Sequence, residues 1–131
     1  MPNSLSQYAT SGEARVARKL IRAALAEGWH VSVNDGEETT VRRSTREREI
    51  LDAMCTTGED ILTLHLPVSG KSGGSFVLIY GNDESGEELI ADHTDNENCE
   101  RLYRAAHGDT AKEDAQERIG NIWDAQDRQD Y

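Results

Sequence analysis

The polar run Asp92-His93-Thr94-Asp95-Asn96 contains the residue types best suited to chemistry in this chain of 131 residues. A histidine beside a carboxylate can act as a general base with an orienting partner, and both types also bind metals. However, neighbouring residues of a strand point to opposite faces, and Thr94 and Asp95 also fit the start of a helix. We therefore expect helix capping here, with a small enzyme or metal-dependent domain around His65, Asp92 and His93 as an alternative.

No other motif predicts catalysis or a bound cofactor. Gly70-Lys71-Ser72 resembles the end of a phosphate-binding loop, but His65 occupies the position of that motif's first glycine, and a strand follows. The oxygen-rich loop 82–88 lacks the spacing of a calcium-binding loop between two helices. The histidines show no zinc-binding spacing, so we predict no catalytic residue, no metal ion and no cofactor.

The two cysteines, Cys55 and Cys99, both fall in segments with helical patterns. Two cysteines in an otherwise core-forming chain suit buried, reduced thiols in a cytoplasm better than a disulfide scaffold. No apolar run approaches the roughly 18 residues of a membrane span, and the first residues lack the features of a secretory signal. We therefore expect a cytoplasmic protein that does not contact membranes.

Charge is distributed unevenly along the chain, whose net charge is -11. Residues 1–48 carry eight Lys or Arg and six Asp or Glu, whereas residues 49–131 carry six and nineteen. Between 81 and 100 there are eight acidic residues and no Lys or Arg. Such a charge repels nucleic acid and membrane surfaces and attracts basic partners.

The arginines of residues 42–48 could form a basic patch with the cations of the first helix. Acidic residues at 37, 38, 47 and 49 interleave with them, and the chain as a whole is acidic. We therefore predict that these arginines are solvated or pair with the acidic half, and that the protein does not bind nucleic acid directly.

The first predicted element is a helix over residues 11–27. Thr10 and Glu13 have the spacing of a capping box, and apolar residues then recur at helical intervals. Gly28 suits the left-handed conformation that ends many helices.

A hairpin and a second helix should follow. Residues 29–33 alternate between apolar and polar types, and Asn34-Asp35-Gly36 favours a tight turn into a return strand. Ser44 and Glu47 again have capping-box spacing, which predicts a helix that ends near 56–58.

Three further strands should form a meander. Residues 62–66 and 76–80 are strongly apolar and flank a Gly/Ser-rich turn, and Leu89 to Ala91 continue into a third strand. Because 76–80 is apolar on both faces, we predict that it is central to the sheet and covered on both sides.

Two helices should complete the chain. Thr94 with Glu97 has capping-box spacing, and Gly108 would end that helix. Thr110 and Glu113 have the same spacing and open a last helix, whose apolar residues include Ile119, Ile122 and Trp123.

The predicted order is therefore αββαβββαα. It favours a single α+β domain over residues 1–131, with an antiparallel sheet of about five strands packed against helices. We expect fraying at residues 1–9 and 125–131.

Several segments, VNDGEE, RSTREREI, SFVLIYGNDE and ELIADHTDN, together resemble small accessory proteins carried by bacteriophages and other mobile elements. The resemblance covers roughly residues 11–98 and includes no catalytic signature. Small acidic proteins of such elements include anti-CRISPR and anti-restriction proteins, some of which present carboxylates in place of DNA phosphates. The resemblance thus implies an inhibitor of a host defence system.

These patterns favour a non-enzymatic interaction protein that binds and occludes a basic host protein, one that itself binds nucleic acid. Steering by the acidic surface would make this association fast and sensitive to salt. A structural protein that dimerises through its last two helices is the first alternative. The predicted interaction surface consists of Asp83, Glu84, Glu87, Glu88, Asp92, Asp95, Glu97, Glu100, Glu113, Asp114 and Glu117.

Overall fold

The computed structural model describes residues 8–82 and 84–108, which form an α+β fold around a five-stranded antiparallel sheet. Its elements are α1 (Ser11–Ala26), β1 (His30–Asn34), β2 (Thr39–Ser44), α2 (Glu47–Ala53), β3 (Glu59–His65), β4 (Ser72–Ile79), β5 (Ile90–His93) and α3 (Glu97–His107). This succession confirms the predicted fold class. The predicted last helix, and with it that helix's part of the predicted dimer contact, lies outside the described residues.

The strands lie in the order β2-β1-β3-β4-β5, and each neighbouring pair is antiparallel. The first hairpin and the meander therefore join through β1 and β3, which are not consecutive in the chain. β2 and β5 form the two edges of the sheet. Four strand spacings, roughly 19 Å, separate these edges.

Helix α1 begins with the predicted capping box. The side chain of Thr10 accepts the N–H of Glu13, and the Glu13 carboxylate accepts the N–H of Thr10. Gly28 follows the helix end with φ of 96°, a left-handed value that glycine adopts without a steric penalty. No helix in the described ranges is long and apolar enough to cross a lipid bilayer.

One face of the sheet carries the hydrophobic core. Val31, Val33, Leu62, Leu64, Phe76 and Leu78 point to this face and are buried, together with Leu20, Ile21 and Leu102 of the helices. On the opposite face of β4, Val77 is half-buried and Ile79 is 37% exposed. The prediction that 76–80 is covered on both sides is therefore wrong, because the described helices all pack on one face.

The start of α2 differs from the prediction. Ser44 is the last residue of β2, and its hydroxyl hydrogen-bonds the Glu49 carboxylate at 2.5 Å and accepts the Arg46 N–H. The N-cap position of α2 is Arg46, whose side chain accepts no hydrogen bond from the helix. The Glu47 side chain binds Arg22 rather than forming a capping box. Ser44 is therefore not the cap, and the helix ends at Ala53, before the predicted 56–58.

Helix α3 also begins later than the sequence suggests. Asn96 is its N-cap, and its side chain accepts the N–H of Cys99. Thr94 instead exchanges hydrogen bonds with Ser75 of β4, so it extends the pairing of β5. The predicted capping box of Thr94 and Glu97 is wrong for this reason, whereas Gly108 follows the helix end as expected.

Both cysteines are free and buried. Burial raises the pKa of the Cys55 thiol to about 11 and also raises the pKa of Cys99. Both side chains are therefore protonated near neutral pH. Since the thiolate is the reactive form, neither is suited to act as a nucleophile.

Candidate functional site

Seven of the predicted interaction residues lie along one edge of the sheet, on the loop before β5, on β5 itself and on the start of α3. All seven are exposed, and we call this set the acidic edge: Glu84, Glu87, Glu88, Asp92, Asp95, Glu97 and Glu100. The other four predicted residues, Asp83, Glu113, Asp114 and Glu117, lie outside the described residues.

The loop that carries the first part of the acidic edge is packed tightly against α1. A Cβ atom added to Gly12 would collide with the backbone of Glu84 and Ser85. A Cβ on Gly86 would collide in turn with the backbone of Gly12, and Gly86 also has φ of 84°. The two glycines thus allow a backbone contact that no other residue type permits at this distance.

Glu13 fixes the same loop by hydrogen bonds. Its side chain is fully buried, and its two carboxylate oxygens accept the backbone N–H of Gly81 at 2.7 Å and of Asn82 at 2.9 Å. Hydrogen bonds from backbone N–H groups to a carboxylate are about twice as strong as neutral ones. The acidic edge therefore begins at a point that is anchored to α1.

Two arginines of α3 lie beside the acidic edge and neutralise little of it. Arg101 binds Glu27 at the end of α1 through two hydrogen bonds of 2.7 and 2.8 Å, which lower the pKa of Glu27. Arg104 approaches Glu100 at 3.8 Å, and both side chains are largely exposed. Exposed pairs of this kind contribute only about 0–1 kcal/mol, so the edge keeps its negative potential.

The arginines of the first hairpin lie at the other edge of the sheet. Arg42, Arg43 and Arg46 are exposed and form no ion pair with any described residue. Arg48 approaches Asp52 of its own helix at 3.9 Å. Among the described residues, Arg42, Arg43 and Arg46 therefore match the solvated alternative of the prediction rather than pairing with the acidic half.

The structure does not bring His65, Asp92 and His93 together. Asp92 is exposed and lies opposite Val77, which itself pairs with Ile61 of β3. His65 is thus two strands across and four residues along from Asp92, roughly 16 Å away. No three His, Cys, Asp or Glu side chains in the described ranges are placed to share a metal ion.

The side chain of His93 packs between two aromatic rings instead. Its ring lies between Phe76 and Tyr103, with centroid distances of 5.9 and 5.1 Å, and Tyr103 in turn contacts His107. Its Nδ1 donates to the carbonyl of Thr94. Asp92 accepts only the backbone N–H of His93, so no base–carboxylate pair forms between the two side chains.

His65 has a partner that the sequence did not reveal. Its Nε2 lies 2.9 Å from the hydroxyl of Ser32, and its Nδ1 lies 3.0 Å from the carbonyl oxygen of Gly70. Ser32 lies on β1, diagonally across from His65 on β3. The pairing depends on β1 lying beside β3, which the order of elements alone does not predict.

No protein-family model, curated protein or solved structure matches this chain. Its function must therefore be argued from the charge and geometry of the described residues.

Proposed function

We propose that this is a binding protein of the bacterial cytoplasm, which docks through its acidic edge on a basic surface of a host protein. Its effect is occlusion of that surface and needs no chemical step. The observation that supports this proposal most directly is the set of seven exposed carboxylates on one edge, three of which lie on a loop that Gly12, Glu13 and Gly86 fix to α1.

The fixed loop matters for affinity. A mobile acidic segment would lose conformational entropy on binding, about 0.5–1.5 kcal/mol for each immobilised side chain in addition to its backbone. Glu13 and the two glycines hold the backbone of the loop before the partner arrives. β5 also lies roughly 19 Å from β2, which carries Arg42 and Arg43, so these two arginines cancel little of the negative potential at the acidic edge.

The partner class follows from charge. A basic surface is typical of proteins that bind nucleic acid, because it contacts phosphates, and a row of carboxylates can take the place of that phosphate backbone. The resemblance to accessory proteins of mobile elements agrees with a defence protein of the host as the target. The two free, buried thiols agree with a reducing compartment.

A pair of charge variants tests the proposal. In the first, Glu84, Glu87 and Asp95 of the acidic edge are replaced by their amides. In the control, the exposed Glu37, Glu38 and Glu59 are replaced by Gln, which removes the same charge elsewhere. Proteins captured from a bacterial lysate are identified, and the purified partner is titrated by calorimetry at low and high salt.

We expect the acidic-edge variant to lose about tenfold or more in affinity, and the control less than about threefold. High salt should weaken binding of the unaltered protein and reduce the difference between the variants. Equal binding by both variants, or affinity that does not change with salt, would contradict docking through this edge.

A further inference from the structure

The hydrogen bonds around His65 define the position of its protons. The carbonyl of Gly70 can only accept, so the proton of neutral His65 lies on Nδ1 and points to that oxygen. Nε2 is then an acceptor, and the hydroxyl of Ser32, 2.9 Å away, donates to it. This is the arrangement of a nucleophile beside a general base, with the base oriented by a third group.

The oxygen of Ser32 receives a hydrogen bond of its own. The backbone N–H of Arg43 donates to it at 2.9 Å. A donor aimed at this oxygen stabilises negative charge that develops there, and so assists loss of the hydroxyl proton to His65.

The backbone is strained to place this donor. Arg43 has φ of 48°, a left-handed value that is uncommon for residues other than glycine. The pairing of β1 with β2 is irregular between Val31 and Val33, on either side of Ser32. The pairing of β3 with β4 is irregular between Leu64 and His65. Such irregularities re-aim side chains and are frequent beside active sites.

A neighbouring pair on the same face shows that a hydroxyl hydrogen bond between strands needs neither a strained residue nor an irregular strand pairing. Thr63 and Ser75 hydrogen-bond at 3.1 Å from regular, directly opposed positions of β3 and β4. A cross-strand hydrogen bond alone therefore does not account for the strained residue and the two irregularities around Ser32 and His65.

We propose that Ser32 is a nucleophile activated by His65, and that it accepts the acyl group of a small activated ester that carries a negative charge. The charge preference follows from Arg43, whose guanidinium lies against Gly70, where a Cβ would collide with it. Lys71 is exposed in the next position, and neither cation has an ion-pair partner among the described residues. This site is separate from the acidic edge.

The reaction proceeds by acyl transfer. The oxygen of Ser32 forms a bond to the acyl carbon while its proton moves to Nε2 of His65. The bond from the acyl carbon to the leaving oxygen then breaks, and His65 returns the proton to that oxygen. Water repeats the sequence on the acyl-serine and releases the carboxylic acid, so no oxidant, reductant or other reactant is required.

Two nitrophenyl esters test the proposal on the intact chain: neutral p-nitrophenyl benzoate and the anionic mono-p-nitrophenyl ester of terephthalate, whose carboxylate cannot reach its own ester. We expect a burst of nitrophenolate and an acyl group on Ser32 in peptide mass spectrometry, faster with the anionic ester. The variants Ser32→Ala and His65→Gln should lose the burst. The matched variant Ser75→Ala should keep it, because Ser75 contacts a hydroxyl and not an imidazole.

A substitution at Arg43 separates activation from charge recognition. Arg43→Gly keeps the backbone N–H, suits φ of 48° and removes the guanidinium. We expect it to lose most of the preference for the anionic ester, measured as the ratio of the two acylation rates in the variant against the same ratio in the original chain. Circular dichroism and thermal unfolding of each variant show whether a loss of reactivity reflects loss of the fold.

The proposal is overturned if folded protein carries no acyl group on Ser32, or if Ser32 reacts equally in the His65→Gln variant. Acylation of Ser75 or of surface lysines at the same rate as Ser32 would also overturn it, since the reaction would then be non-specific. Equal rates for the two esters would remove the role of Arg43 in recognition.

Discussion

Two buried carboxylates, Glu13 and Asp60, lie in the same core and have opposite consequences. Both side chains are fully inaccessible, and both oppose ionisation of Tyr80, whose pKa lies well above its usual value, mainly because of burial. Glu13 accepts hydrogen bonds from three backbone N–H groups, of Thr10, Gly81 and Asn82. In Asp60, Oδ2 accepts from Tyr80 and from the N–H of Cys55, but Oδ1 has no partner among the described residues.

The difference shows how hydrogen bonding decides what a buried charge does. Glu13 joins two segments because its carboxylate oxygens accept backbone N–H groups from both of them. Asp60 is only half satisfied, and burial raises its pKa to about 6 despite the hydrogen bonds from Tyr80 and Cys55. Glu13 is therefore a structural anchor, whereas Asp60 makes the stability of the fold depend on pH.

The largest effect should come from removing the anchor. Glu13→Ala leaves buried backbone N–H groups without acceptors, and we expect it to lower the free energy of unfolding by about 3 kcal/mol or more. Because the loop before β5 loses its attachment to α1, hydrogen exchange at Gly81 and Asn82 should also accelerate. Urea unfolding and amide exchange measure the two effects.

Two controls show whether the acceptor oxygens are responsible. Glu13→Gln replaces one oxygen with an NH2 group that faces backbone donors, so it should recover only part of the loss. Asn82→Ala keeps the backbone N–H that Glu13 accepts, and should change stability by less than about 0.5 kcal/mol. A large effect of Asn82→Ala, or full rescue by Gln, would contradict the role given to Glu13.

Asp60→Asn should remove part of the pH dependence of the free energy of unfolding. The pKa of Asp60 is about 6 in the folded protein against an ordinary value of 3.8, so between these values the folded state binds more protons than the unfolded state. The contribution of Asp60 to the free energy of unfolding is therefore fully present below about pH 4 and is lost as pH rises through 6. A shift of this size corresponds to no more than about 3 kcal/mol.

The measurement is the difference in unfolding free energy between Asp60→Asn and the original chain, from pH 4 to 8. We expect the variant to gain stability relative to the original chain as pH rises, by about 2 kcal/mol at pH 8. The difference removes the contribution of the other carboxylates, which titrate in both proteins. A constant difference across this range would show that the pKa of Asp60 is the same in the folded and unfolded states, which would contradict the raised value.

A smaller effect should follow from Tyr80→Phe. The phenol donates to Asp60 at 2.6 Å and lowers the pKa of that carboxyl, so its removal should raise this pKa further above its usual value. We expect the free energy of unfolding to fall by about 1–2 kcal/mol at pH 8 and by less at pH 5, where Asp60 is mostly protonated. If the losses at the two pH values are equal, the hydrogen bond does not favour the ionised form.

Much of the fold could be predicted because local signals agreed with each other. The capping box of Thr10 and Glu13, the glycine after α1 and the Asn34-Asp35-Gly36 turn each depend on residues close in sequence. The start of α3 was misplaced because Thr94, Asp95 and Asn96 are all suitable caps. The choice among them depends on hydrogen bonds between Thr94 and β4, which are tertiary contacts.

The candidate sites depended even more on tertiary contacts. Exposure of the carboxylates before and after β5 could be expected from their charge, but their fixation by Glu13 could not, since that residue is 68 positions from Gly81. The pairing of Ser32 with His65 requires the position of β1 beside β3. The equal hydrophobicity of both faces of β4 gave a wrong prediction, because apolar residues are also common on exposed surfaces.

The contacts that hold the acidic edge join distant parts of the chain. Glu13 accepts a hydrogen bond from Asn82, 69 residues away in sequence, and Arg101 donates one to Glu27, 74 residues away. Contacts between distant residues form slowly, because closing a long loop lowers the entropy of the chain before the contact offsets it. During synthesis α1 emerges from the ribosome before the residues that it contacts, so a nascent chain cannot present an ordered acidic edge until residues well beyond 82 have emerged.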